Sequence, residues 1–203
     1  VVELEVGKGK VGDRNLFDKM IPQKYPIPPF LTRGDWLHAN SIRYYKDSPF
    51  SKDPIYLVSY RTISRVIAYN FKTLKPLWVS PKGLLSFPHD PSIVDGKIWV
   101  FDNRTGESKS RILELDPMTN KVTWEYWGGE RHLSKTQFYT PYMGGVYVAN
   151  KNNIVVSLSS MGMVVIVDRN KNRVNYVQVT EKAGKEHAWP WIPFFKVVGF
   201  SSK

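Results

Sequence analysis

Three of the four histidines in this chain stand just ahead of a strand-like run: His38 in Trp36-Leu37-His38, His89 in Phe87-Pro88-His89, and His187 in Glu186-His187-Ala188-Trp189. A neutral imidazole, whose ordinary pKa is near 6.5, can serve at pH 7 as a nucleophile or a general base. Two arginines follow at similar intervals, each preceded by serine: Arg65 stands 27 residues after His38, and Arg111 stands 22 after His89. A guanidinium offers a planar fork of donors that matches a tetrahedral oxyanion such as sulfate or phosphate. Asn103, straight after the run Ile98-Trp99-Val100-Phe101-Asp102, would sit at the same rim. Each residue also has a plainer role open to it. The histidines can bridge neighbouring units by hydrogen bonds, the arginines can pair with carboxylates, and Asp102-Asn103 can be a turn.

Three imidazoles around an open position also suit zinc. No His-x-x-x-His or adjacent carboxylate pattern accompanies them, so neither a metal nor a cofactor is expected. His132, in Gly128-Gly129-Glu130-Arg131-His132, falls in a glycine-led loop and reads as surface. The absence of cysteine excludes disulfides, thiolate-held zinc, iron–sulfur clusters and thiol nucleophiles.

The elements that must position these groups are strands. Short β-branched and aromatic runs recur between Gly, Pro, Asn, Asp and Lys clusters, at 54–59, 64–69, 97–101, 111–115 and 163–167. Helical periodicity is nearly absent, which predicts an all-β chain. The same phrases return at a nearly fixed interval. Ser64-Arg65 recurs as Ser110-Arg111 and Trp78 as Trp124, both 46 residues on, and His38 is followed by His89 at 51. A third copy is legible where 164–168 follows 112–116 by 52, with Tyr176 at 52 after Trp124. A unit of about 45 residues with four short strands is the size of a β-propeller blade.

The predicted organisation is a leader and Pro-rich linker over 1–33, then blades over about 34–84, 85–130, 137–184 and a partial one over 185–203. About four visible blades, the last of them partial, do not close a ring, which takes roughly 4–8. Its closure is expected from sequence outside these residues or from a partner, including self-association with a second copy of the chain, with the strand-like Val1–Val6 as a further candidate. In a propeller the entrance to each innermost strand faces the central channel, so residues repeated there converge on one axis.

Composition sets the remaining bounds. The chain has 203 residues, 42% hydrophobic and 14% aromatic, enough for a sizeable core. No apolar window approaches the ~18 residues of a membrane span. The 29 basic against 18 acidic residues leave a formal charge of +11. The basic residues are scattered over turn-like stretches rather than gathered in a stripe, which makes nucleic acid an unexpected partner. An electropositive field that attracts small anions or an acidic protein is the consequence.

The ordered series Asp35-Trp36-Leu37-His38-Ala39-Asn40-Ser41-Ile42, Ser59-Tyr60-Arg61, Phe87-Pro88-His89-Asp90, Val100-Phe101-Asp102-Asn103, Ser110-Arg111-Ile112-Leu113-Glu114-Leu115-Asp116-Pro117 and Val122-Thr123-Trp124-Glu125-Tyr126 resembles the bacterial arylsulfotransferase family over about residues 34 to 170. The resemblance implies a six-bladed propeller that moves a sulfuryl group from a phenolic sulfate to a phenol through a transiently sulfated histidine, without a nucleotide donor. It implies a periplasmic or extracellular location. It implies catalytic roles for His38, His89 and Arg111, and, by order along the chain, the nucleophilic role for His187. Arg65, Asn103 and Trp36 are the expected substrate-binding residues. Trp36, Trp189 and Trp191 could stack on aryl rings or simply pack. Two features depart from the family: Phe138-Tyr139-Thr140-Pro141 stands at the third entrance without a histidine, and the chain is short for six blades. A catalytically silent propeller, used as a binding or assembly subunit, is the alternative.

Overall fold

The computed structural model describes residues 2–5, 9–13, 37–129, 134–171 and 173–178. Two short strands, β1 (Val2–Glu5) and β2 (Gly9–Asp13), form an antiparallel hairpin of their own. The expected strand at the N-terminus therefore pairs with its neighbour in sequence and joins none of the larger sheets.

Three four-stranded antiparallel sheets follow, each an up-and-down meander in sequence order. The first holds β3 (Ala39–Tyr45), β4 (Ile55–Tyr60), β5 (Arg65–Asn70) and β6 (Pro76–Val79). The second holds β7 (Pro88–Val94), β8 (Lys97–Asp102), β9 (Arg111–Asp116) and β10 (Lys121–Tyr126). The third holds β11 (Gly145–Val148), β12 (Asn153–Leu158), β13 (Met163–Asp168) and β14 (Arg173–Gln178). These are three blades of a β-propeller. The partial blade expected over 185–203, and the linker before residue 34, lie outside the described residues.

The local chemistry accounts for the meanders. The β-branched and aromatic content of β4, β5, β8 and β9 suits strands buried on both faces, and every residue of β4 and β5 is buried. The β7–β8 hairpin turns on Asp95-Gly96, with φ of 49° and 73°, the two-residue left-handed turn that Asp-Gly favours.

Blades pack face to face. Ile55, Leu57, Val66 and Ala68 of the first meet Ile98, Val100, Leu113 and Leu115 of the second. Phe101, Ile112 and Tyr126 of the second meet Ile154, Val156, Leu158 and Val165 of the third. The innermost strands β3 and β7 run side by side in the same direction. Asn40 Nδ2 donates to the Pro88 carbonyl at 2.9 Å, Arg43 pairs with Asp90, and the Ile93 N–H donates to the Tyr45 hydroxyl at 2.9 Å. On its other side β7 lies against β11.

Two tryptophans repeat one latch. Trp78 Nε1 donates to Asn120 Oδ1 in the next blade at 2.9 Å, and Trp124 Nε1 donates to the Arg169 carbonyl in the blade after at 2.8 Å. Both stand just after a bulge in the outermost strand. In the third blade that place belongs to Asn175, paired with Ile166. The expected match of Tyr176 to Trp124 is therefore displaced by one residue, because one residue fewer separates the inner strand's Asp168 from the bulge.

Candidate functional site

The three innermost strands and the loops leading into them enclose a cavity of 740 Å³. The first blade contributes His38, Asn40, Ser41, Ile42, Arg43 and Arg61 to its lining, the second His89 and Asp90, and the third Tyr142, Met143 and Gly144. His38 occupies the residue before β3, is exposed, and has a φ of 47°. A left-handed backbone is unusual for a histidine and marks a loop shaped by its surroundings.

His89 lies in β7 and is only 8% exposed. Its Nδ1 is 2.7 Å from Asn103 Oδ1 and 3.2 Å from the Phe87 carbonyl, both acceptors, so Nδ1 carries the proton. Its Nε2 accepts the Met143 backbone N–H at 3.2 Å. Burial pushes the imidazole down to about 4, against smaller upward contributions from the Asn103 and Phe87 hydrogen bonds. His89 is therefore neutral at pH 7, with both ring nitrogens engaged. Asn103, fully buried, donates through Nδ2 to the carbonyls of Thr140 and Met143 at 2.8 and 2.7 Å. The expected substrate-binding Asn103 thus orients His89 and ties the second blade to the third.

The third entrance has no histidine because its route to the axis is built differently. A single helical turn, α1 (Lys135–Phe138), is closed by a capping box between Ser134 and Gln137. Its buried Phe138 sits 5.1 Å from Tyr126, edge to face, and stacks on Phe101. The chain then reaches the axis as Tyr142-Met143-Gly144, and the Met143 backbone meets His89.

The charges around the cavity are uneven. Arg43 Nη2 pairs with Asp90 Oδ1 at 2.6 Å. Arg61 has no carboxylate partner among the described residues, and its guanidinium lies 4.7 Å from the centre of the Phe87 ring. Partial burial pulls its pKa down from the ordinary arginine value, yet a guanidinium stays charged in proteins. Among the described residues the cavity therefore presents one cation free of any carboxylate, beside two histidines.

The arginines singled out for anion binding are placed elsewhere. Every face of the Arg111 fork is spent on structural partners: Nε on Asp102 at 2.8 Å, Nη1 on Glu125 at 2.8 Å, and Nη2 on the carbonyl of Leu84, in the connection from the first blade, at 2.6 Å. Its Cζ lies 5.0 Å from the centre of the Trp127 ring. Arg65 Nη1 donates to the carbonyls of Ser64 and Pro81 at 3.1 and 3.4 Å. Both begin the third strand of a blade, one strand removed from the partner of the axial strand, and neither lines the cavity. Arg61, in the quoted phrase Ser59-Tyr60-Arg61, holds the cavity position instead. It corresponds in the second blade to Asn103, since Tyr60 pairs with Arg65 as Asp102 pairs with Arg111. His187 and Trp36 lie outside the described residues. Among the described residues no group of three His, Asp or Glu side chains could hold a metal ion.

The fold and site define a β-propeller with an open cavity at the blade entrances, where apolar lining surrounds two histidines and an arginine. No family model and no curated protein matches the chain. Among solved structures it is similar to a protein of unknown function from Bacteroides caccae (19% identity, TM-score 0.45, covering 62% of this chain and 42% of that one). It is also similar to glutaminyl cyclase from Myxococcus xanthus (15%, 0.43, 62% and 47%) and to BamB from Moraxella catarrhalis (11%, 0.31, 62% and 47%). The matched part spans less than half the length of each.

Proposed function

We propose that this cavity receives the anionic end of an aryl sulfate, in an arylsulfotransferase-like propeller that passes a sulfuryl group between phenolic compounds. One observation carries the reading: His38 and His89, from two consecutive blade entrances, and the carboxylate-free Arg61, from the β4–β5 turn, line a single open cavity. Ile42 and Tyr142, 45% and 51% exposed, supply apolar lining for a ring.

In the first half-reaction an imidazole nitrogen attacks sulfur with its lone pair. The sulfur–oxygen bond to the aryl group breaks, and the aryl oxide leaves with that electron pair and takes up the proton that the sulfated ring releases. In the second, a phenol oxygen attacks the sulfur, the nitrogen–sulfur bond returns its pair to the ring, and the ring takes the phenol's proton. Arg61 faces the charge on the non-bridging oxygens in both steps. His89 holds the floor of the site, since both of its nitrogens are engaged. His38 is the exposed imidazole of the cavity and has the access that attack requires, while His187 is the candidate by order along the chain.

A catalytically silent binding propeller is the second reading, favoured by the commitment of His89 to Asn103 and Met143 and of Arg111 to structural partners. Transfer from 4-nitrophenyl sulfate to phenol, followed as nitrophenolate release, separates the two. Phenol-dependent release by the full chain, lost in His38→Ala or His187→Ala and in Arg61→Ala, supports transfer. Saturable binding of the sulfate without release supports the binding propeller.

A further inference from the structure

Antiparallel meanders whose inner strands run in one direction must collect alternate turns at a common end. The end opposite the His38 entrance therefore carries the β3–β4, β7–β8 and β11–β12 turns together with the β5–β6, β9–β10 and β13–β14 turns. The two tryptophan latches tie the last set together from blade to blade.

Lysines dominate this end. Lys46 and Lys52 lie in the first turn, Lys75 precedes β6, Lys121 opens β10, Lys151 lies in the β11–β12 turn and Lys171 in the β13–β14 turn, and all six are exposed. Their neighbours Lys72, Lys97 and Arg169 are neutralised by Asp53, Asp116 and Glu114 at 2.6, 2.7 and 2.9 Å. Among the described residues no ion pair holds any of the six, and the exposed acids on the same turns are Asp47 and Asp95. Beside Lys121, at the tip of the β9–β10 turn, Met118 is 71% exposed, and Tyr44, ahead of Lys46, is 54% exposed.

We infer that this lysine-bearing end of the propeller, opposite the cavity, docks on an anionic lipid bilayer. Three features favour lipid over another polyanion. The free charges are all lysine ammoniums, point charges that meet mobile headgroups without the fixed fork geometry that suits a defined phosphate. The charges sit on turn tips that share one end, which suits a broad surface. The apolar tip of Met118 amid lysines has the make-up of an interfacial contact, whereas a single-strand nucleic-acid site would present stacking platforms along a groove. The inference is independent of what the cavity binds.

The test is co-sedimentation of the full chain with vesicles of phosphatidylcholine alone and of phosphatidylcholine mixed with phosphatidylglycerol. Binding is expected to the mixed vesicles only and to fall with rising salt. Each lysine near the surface is worth about fivefold in partitioning, so Lys52→Glu, Lys121→Glu and Lys151→Glu together should cost about a hundredfold or more. Lys82→Glu with Lys135→Glu, exposed on the β6–β7 loop and on α1 at the cavity end, should leave binding unchanged. Failure to bind the mixed vesicles overturns the inference. So does an equal loss in the cavity-end pair, which would mean attraction by net charge alone, and so does tighter binding to RNA or polyglutamate at the same salt.

Discussion

The backbone N–H of Met143, at the entrance to the third blade, donates to Nε2 of His89, at the entrance to the second, across 3.2 Å. With Asn103 holding Nδ1, this bond joins two blades at the axis and requires a neutral imidazole, since a protonated Nε2 cannot accept.

A pH dependence follows from that requirement. The imidazole titrates near 6.5 when unfolded and at about 4 when folded, so between those values the unfolded chain binds the extra proton. The stabilisation is complete above pH 6.5 and is lost as pH falls through the window towards 4, by about 3 kcal/mol in all. Denaturant titrations from pH 7 to pH 4 should show this slope, and His89→Asn should flatten it.

Arg61 and Arg111 should behave as opposites. Replacing Arg111 with Met leaves the buried Asp102 carboxylate without its main partner, and should cost about 3–5 kcal/mol of stability. Burial already pushes the Asp102 pKa up, against the opposing pull of the Ser86 N–H and of Arg111 and Arg104. Arg61→Ala should cost at most about 1 kcal/mol, the worth of its contact with Phe87. It should weaken 4-nitrophenyl sulfate binding, measured by calorimetry, about tenfold or more, the loss of a charge-assisted contact.

Gly144 is irreplaceable on two grounds. Its φ is +94°, and a Cβ there would come within 2.8 Å of the Phe101 ring, which is fully buried against Phe138. Gly144→Ala should destabilise by about 2–4 kcal/mol through strain and overpacking, read from the urea midpoint. Gly96→Ala, with nothing within 4 Å, should cost only its turn preference.

Each tryptophan latch should be worth about one hydrogen bond. Trp78→Phe and Trp124→Phe each keep an aromatic ring and remove the Nε1 donor, so each should lose about 1 kcal/mol in denaturant unfolding. The two sites lie in separate blade interfaces, and their losses should add.

Composition and spacing were enough for the central strands and for the blade-sized repeat, because burial within a stacked sheet is a local demand that runs of β-branched and aromatic residues meet wherever they fall. The runs at 54–59, 97–101, 111–115 and 163–167 became β4, β8, β9 and β13 within a residue at either end. The convergence of His38 and His89 was also readable, since both stand at the start of an innermost strand. Which arginine reaches the cavity was not. Ser64-Arg65 and Ser110-Arg111 repeat conspicuously because each must anchor its own blade, and a packing constraint leaves as strong a periodic mark as a binding one. Arg61 lacks a repeat, its counterpart being Asn103, so nothing in the spacing set it apart. Whether an imidazole is available or tied down depends on neighbours 14 and 54 residues away, Asn103 and Met143, and on burial that only the stacked blades create. The sequence by itself determined the strands, the repeat and the basic charge, all properties of local composition. The tertiary structure decided which polar side chains face the axis and which are spent holding blades together, because that depends on contacts between residues far apart in the chain.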